Sequence, residues 1–385
     1  MKKKVYTRPQ AEAEFVHALT RQVGYTAGAF SIQRMADIVS LFEDASAYQF
    51  ELVKRLTSVS SEGEPLSEKY ATDVLSFAAE LGIVSKLPGA SVPHLSRFVL
   101  SDAGVAIRAA RAVAPDLESL ILEHLILEND ADAYLRVLSL LHTNSSDTAE
   151  TFANDFRDAV LRAREVRLQW LKAAFPSKPV LLRLIKCGSA QVHWLKVKKL
   201  GLVEIERPGT DFGRHHFSPR KTWTGELGHF DALTKQLTPS GLQFMNLAGW
   251  SSNNANAHWI SPPAECLNFL RVPETVRGDL CGPSAPTLDL LRPSSLEYEP
   301  TPELTATAAE FLRAAFDHIK LVHARQALTS PLKYFLVAQE RVMGRRLDLE
   351  LILQTVSRTY PKDFAFFSSR SGALAYYQVR RTESG

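Results

Sequence analysis

The stretch TDVLSFAAELGIV (Thr72–Val84), followed by RFVLSDAGVAI (Arg97–Ile107), decides how this chain reads. In the first segment Val74, Phe77, Ala78 and Leu81 recur at the spacing of a helix with one buried face. That helix starts near Leu66 and stops at Gly82, since glycine adopts the left-handed conformation that ends a helix sharply. Ile83 and Val84 then open a strand. A loop holding Pro88, Gly89 and Pro93 separates it from a second strand over Ser96–Leu100. Ser101 is placed to cap a closing helix. Upstream, Ile32, Met35, Ala36, Ile38, Val39 and Phe42 recur at helical spacing, and a second helix is expected over Tyr48–Leu56. The polar SSEGEP (Ser60–Pro65) marks the turn before the third. Three helices and a two-stranded hairpin describe a winged helix, here spanning about Ser31 to Ala112.

The same grammar recurs downstream. LGLV (Leu200–Val203) sets itself against LGIV (Leu81–Val84), and LTPSG (Leu237–Gly241) against LSDAG (Leu100–Gly104). On this alignment a helix carrying Leu181, Leu182 and Leu184 precedes a third helix over Ser189–Leu200. The glycines are 22 residues apart in the first copy and 40 in the second, so a longer loop follows Val203. A fainter third copy spans about Pro302 to Arg381. Helices are expected there over Thr305–Leu328, Ser330–Gln339 and Leu347–Ser357, with strands at Phe364–Phe367 and Ala373–Val379. The expected fold is mainly α with small β-hairpin wings, in three tandem winged-helix modules. The expected divisions are a basic arm over 1–30, a first module with a helical connector over 31–150, and a second with a long wing over 151–250. A linker over 251–301, containing SSNNANA (Ser251–Ala257) and the proline-rich Pro262–Pro302, leads to the third module over 302–385.

This order resembles the recognition domain of the FokI type of restriction endonucleases, in which three winged-helix subdomains precede a separate cleavage domain. The two segments quoted above carry the resemblance, together with ESLILEHLILENDADAYLRVLSLL (Glu118–Leu141), WLKVKKLGLVE (Trp194–Glu204) and LTPSGLQFM (Leu237–Met245). The third repeat runs to Gly385, so the family's nuclease domain is not expected, and any cleavage would come from a partner. The resemblance implies the specificity subunit of a bacterial DNA-processing or anti-phage system, acting with a nuclease or other effector.

Composition narrows the classes. The chain has 385 residues, 45% hydrophobic and 23% charged, which excludes a wholly disordered or collagen-like chain. No apolar run reaches the ~18–20 residues of a membrane span, and no apolar stretch follows Lys2, Lys3 and Lys4 to make a secretory signal. Cys187, Cys266 and Cys281 form no CxxC, which points to a reducing cytoplasm. No phosphate loop, dinucleotide fingerprint, nucleophile elbow or HExxH is present. No lysine has an acidic residue two positions before it, the spacing of many metal-dependent nucleases. His215, His216 and His229, with Asp211 and Glu226, match no zinc spacing and read as a polar loop. Neither enzyme chemistry, metal nor cofactor is therefore expected.

Charge points to a binding face instead. Between Arg183 and Lys221 stand nine basic residues: Arg183, Lys186, Lys196, Lys198, Lys199, Arg207, Arg214, Arg220 and Lys221. Only Glu204, Glu206 and Asp211 oppose them, in a chain of net charge +3. Such an excess is the electrostatic footprint of a duplex-DNA face. With Trp194, Val197 and Leu200 as a buried stripe, Lys196 and Lys199 point outward with Gln191 and His193 beside them. This helix is the expected base reader. Lys3 and Lys4, with Lys2 and Arg8, form a basic arm. Arg345 and Arg346, with Arg341, form a third patch able to contact backbone or cap a helix end. The third helix of the first copy instead shows Glu68, Lys69, Asp73 and Glu80, a net-acidic set suited to protein contact. The alternative function is accordingly a winged-helix assembly protein that does not read bases.

Overall fold

A computed structural model describes residues 6–20, 31–44, 46–58, 66–87, 92, 95–143, 148–187, 195–197, 203–205, 209, 211–249, 264–280, 292–293, 297–319, 326–370 and 372–380. The chain is mainly helical with small antiparallel sheets. In chain order the elements begin with α1 (Arg8–Thr20), α2 (Ile32–Asp37), a 3-10 turn at Ile38–Leu41, β1 (Ser46–Tyr48), α3 (Gln49–Ser58) and α4 (Glu68–Glu80). There follow β2 (Val84–Lys86), β3 (Arg97–Leu100), α5 (Asp102–Val113), α6 (Glu118–Asn129), α7 (Ala131–Thr143), α8 (Ala149–Ala174) and α9 (Lys178–Cys187). The hairpin strands β4 (Leu195–Val197) and β5 (Val203–Ile205) precede α10 (Phe212–Glu226), β6 (Phe230–Asp231), β7 (Gln236–Leu237) and α11 (Pro239–Leu247). The remainder comprises α12 (Ala264–Phe269), α13 (Glu274–Leu280), β8 (Glu297–Tyr298), α14 (Pro302–Ile319), β9 (Ala327–Leu328), α15 (Leu332–Met343), β10 (Arg346–Leu347), α16 (Leu349–Thr359), β11 (Phe364–Ser368) and β12 (Leu374–Val379). Two compact units divide the chain, one built from 1–31 and 127–290, the other from 32–126 and 291–385.

The unit of 32–126 and 291–385 contains a similar element order twice: helix, strand, helix, helix, strand, strand, with the short β10 added between the last two helices of the second instance. In the first instance the sheet order is β1-β3-β2, all antiparallel, with Ala47 opposite Phe98 and Ser85 opposite Val99. In the second it is β9-β12-β11, again antiparallel with the last strand in the middle, and Phe366 lies opposite Tyr377. The helices close over apolar residues spaced as the sequence requires: Met35, Val39, Leu52, Val74 and Ala78 are buried in the first, Phe311, Phe335, Ile352 and Val356 in the second. α5 packs on α14. The strand β9 occupies Ala327–Leu328, where the sequence suggested that the first helix of this copy continued.

The glycine stop has a definite construction. Ser67 caps α4 by accepting from the Tyr70 amide at 3.3 Å. At the other end Gly82 takes φ +81°, and the Ile83 amide turns back onto the Ala78 carbonyl at 2.8 Å. Ser101 closes the hairpin: its hydroxyl donates to the Gly82 carbonyl and accepts from the Gly104 amide, capping α5. A Cβ at Gly104 would run into the Ile83 carbonyl, so the close approach of α5 to the end of α4 requires glycine.

The other unit repeats that construction at a place the sequence alignment missed. α10 is capped at Leu227, Gly228 takes φ +69°, and the His229 amide returns to the Thr224 carbonyl at 2.8 Å. Thr238 then donates to the Gly228 carbonyl at 2.5 Å and accepts from the Gly241 amide at 3.1 Å. A Cβ at Gly241 would strike the His229 carbonyl. The partner of LTPSG is therefore LGHF (Leu227–Phe230), not LGLV (Leu200–Val203), and the two glycines stand 13 residues apart. The expected helix over Ser189–Leu200 is corrected accordingly. Leu195–Val197 is strand β4, paired with β5 so that Lys196 lies opposite Glu204. Leu195 and Val197 alternate with Lys196 and Lys198, and Val203 and Ile205 with Glu204 and Glu206, which is a strand pattern, and opposite charges in register favour the pairing.

Two apolar clusters fill this unit along the 26-residue α8. Phe152, Phe156 and Val160 of its first half pack with Val137, Leu141, Phe217 and Phe230. Leu168 and Leu171 of its second half pack with Phe15, Leu181, Leu195, Val203, Leu267 and Val276. The N-terminal stretch read as a basic arm thus contains a helix, α1, with Ala11 and Phe15 buried. The stretch read as a linker likewise contributes α12 and α13 to a core.

Candidate nucleic-acid interface

α10 (FGRHHFSPRKTWTGE) separates into two faces. Its inner face buries Phe217 and Trp223 against α7 and α8, together with His216, Arg220 and Thr224. Arg220 is fully buried and forms a two-pronged bond with the equally buried Asp130, Nε to Oδ2 at 2.6 Å and Nη2 to Oδ1 at 2.5 Å. Its Nη1 donates to the His216 carbonyl at 2.8 Å, and the guanidinium lies 5.6 Å from the Trp223 ring centroid. The Tyr134 hydroxyl bonds His229 Nδ1 at 2.8 Å just past the helix end. These polar groups fix the helix on α7 and the residue before it.

The outer face carries Arg214, Ser218, Lys221 and Thr222, at three-and-four spacing on consecutive turns. Arg214, Lys221 and Thr222 are exposed and Ser218 and His215 half-buried. Asp211 precedes the face and Glu226 ends it. Beyond the helix the β6–β7 hairpin presents Leu233, 95% exposed, and Lys235, also exposed, at φ +54°. Asp231 shapes the turn: its Oδ1 accepts from the Leu233 amide at 2.8 Å and the Thr234 amide at 3.4 Å. The Leu233 amide bond, with help from Thr234, holds the Asp231 carboxyl below its ordinary range. A helix face with a guanidinium, an ammonium and two hydroxyls offers donors to phosphates and base edges alike.

The other expected contacts distribute unevenly. Arg220 is corrected: a guanidinium fully buried and neutralised by Asp130 does not reach a ligand at the surface. Lys196 stands on a strand and not on a groove-reading helix. Arg183, on α9, is exposed and bonds Glu12 at 2.6 Å, the carboxylate that Arg8 also reaches at 3.0 Å. Lys186 lies on α9. Arg345 follows the left-handed Gly344 that ends α15, and Arg346 lies in β10, parallel to β8 with Glu297 opposite. Arg341 pairs with the buried Glu123 and so serves the interior of its unit. Lys3, Lys4, Gln191, His193, Lys198, Lys199 and Arg207 lie outside the described residues. The histidines do not converge: His216 and His229 are buried on separate bonds, and the described residues contain no metal-ligand cluster. No helix is long and apolar enough to cross a membrane among the described residues.

Comparison with protein-family models, with curated proteins and with solved structures gives no match to this chain.

Proposed function

We propose that the chain binds duplex DNA through tandem winged helices and that α10 is the base-reading helix of the middle module. The observation that carries this reading is the outer face of α10. It presents Arg214, Ser218, Lys221 and Thr222 on the helix that immediately precedes a hairpin, the position from which a winged helix enters the major groove. A helix ~10–12 Å across fits a groove ~12 Å wide. Arg214 can pair with a guanine edge or a phosphate, Lys221 supplies a point charge, and Lys235 on the hairpin reaches the backbone beside the groove. The repeated element order in the other unit, with its last strand in the middle of the sheet, supports the winged-helix assignment for 32–100 and 302–380.

We further propose that the protein cuts no DNA itself and specifies a site for a separate effector in the cytoplasm, as the resemblance to restriction-enzyme recognition domains suggests. The assembly reading is favoured at one place, α4, whose exposed positions include Glu68 and Glu80. That helix suits a protein partner.

The test is a titration of labelled duplex DNA, single-stranded DNA and RNA at several salt concentrations. Duplex affinity is expected to fall steeply with salt, by a slope of about −0.9 per neutralised phosphate. The Arg214→Ala/Lys221→Ala pair should weaken binding, and Lys69→Ala on α4 should leave it unchanged. Salt-independent binding, or damage from Lys69→Ala equal to that of the pair, refutes the assignment.

A further inference from the structure

We infer that residues 348–380 form a second duplex-DNA contact surface, made by the outer face of α16 and the β11–β12 hairpin. It rests on the DNA reading above and adds a site in the other unit. α16 turns Ile352, Leu353 and Val356 inward. Half a turn away stand Leu351, Gln354 and Arg358, an apolar group, an amide and an exposed guanidinium in line along the helix. Lys362 is exposed at the open end of the hairpin and Arg370 at its turn.

The charges of this surface divide by role. Its three acids are engaged in building the fold. Asp348 caps α16 by accepting from the Leu351 amide at 2.7 Å, Glu350 accepts from the Leu374 amide at 3.2 Å, and Asp363 pairs with Arg313 at 2.6 Å. Arg358, Lys362 and Arg370 have no ion pair among the described residues. Nothing in the fold demands that charge. The segment 32–100 has the same element order apart from β10, and its third helix α4 exposes Glu68 and Glu80 instead. Three exposed cations without ion pairs, on a segment whose acids are engaged in the fold, fit an anionic partner.

The spacing identifies that partner as a duplex. From Phe364 to Ser368 the strand β11 rises about 13 Å, at ~3.3 Å per residue, with Lys362 two positions before it and Arg370 two after. The helix face lies beside it. A major groove is ~12 Å wide, so cations at the two ends of the hairpin reach the backbones on either side, Arg358 adds a phosphate contact from the helix, and Gln354 faces base edges. An amide is suited to adenine.

The experiment uses the full chain and a labelled duplex of mixed sequence several helical turns long, with a single strand of the same sequence in parallel. The Arg358→Ala/Arg370→Ala protein should bind the duplex at least about tenfold more weakly, with a salt slope shallower by about two. The Arg358→Lys/Arg370→Lys protein should restore the slope, because charge alone counts there. Unchanged circular dichroism and melting midpoint are expected for both. If the Arg214→Ala/Lys221→Ala protein loses duplex affinity while the Arg358→Ala/Arg370→Ala protein binds as wild type does, this second surface is refuted and the function stands. If the wild-type protein binds no duplex, both fall. Loss confined to single-stranded DNA also overturns the second surface, as does a lysine pair that binds no better than the alanine pair.

Discussion

Replacing Arg220 by alanine separates a structural cation from a nucleic-acid contact, because its neighbour Lys221 faces the other way. Both Arg220 and Asp130 are fully buried, joined by bonds of 2.6 and 2.5 Å. Removing one partner from such a pair strands the other charge away from water and costs about 3–5 kcal/mol. A Tm lower by roughly 6–20 °C follows, at about 2–4 °C per kcal/mol for a unit of this size. Lys221→Ala, at an exposed position, should stay within about 0.5 kcal/mol of wild type and yet weaken DNA binding. The assay is urea unfolding followed by circular dichroism, with a duplex titration on each variant that remains folded. Replacing both partners by apolar residues, Asp130→Leu with Arg220→Met, should recover much of the loss, since no unpaired charge then remains. If Arg220→Ala unfolds at the wild-type urea concentration and loses DNA affinity, the residue is a surface contact and α10 is oriented wrongly here.

Acid should destabilise the chain through His124. Burial, and secondarily Arg341, depress its pKa from 6.5 to about 3. The unfolded chain therefore binds a proton between those values that the folded one does not, and stability present above pH 6.5 is lost as pH falls toward 3. At pH 4.5 the loss is about 2.7 kcal/mol, and His124→Phe should remove that part of the pH dependence in urea unfolding. Gly104→Ala and Gly241→Ala should each destabilise by about 1–3 kcal/mol, because the new Cβ meets a backbone carbonyl that cannot step aside. Wild-type-like melting of either would refute the close approach. The purified protein should leave plasmid DNA intact in magnesium, and cleavage by a nuclease-free preparation would refute the non-enzyme reading.

How much of this was legible in the sequence depends on what the residues signal locally. TDVLSFAAELGIV declares the buried face of α4 and its stop because those signals lie within thirteen residues, and the bounds expected at Leu66 and Gly82 fall within two residues of the helix at each end. The second copy was misaligned because LGLV and LGHF share the Leu-Gly pair, and LGLV keeps the apolar residue that follows it in LGIV. At the true site that position holds His229, a polar residue that looks unfit for the interior. It is buried because the Tyr134 hydroxyl, 95 positions earlier, meets its ring. Local pattern cannot carry such a partner. Pro219 sits buried within α10, although a proline reads locally as a helix breaker. Arg220 reads as a surface cation for the same reason, since Asp130 lies 90 positions away. One signal was available. In RHHFSPRKTWT (Arg214–Thr224), His216, Phe217, Arg220, Trp223 and Thr224 share one helical face, while Arg214, Ser218 and Lys221 share the other. The aromatic residues mark the inner side, and a count of charges along the chain merges two faces that the helix keeps apart.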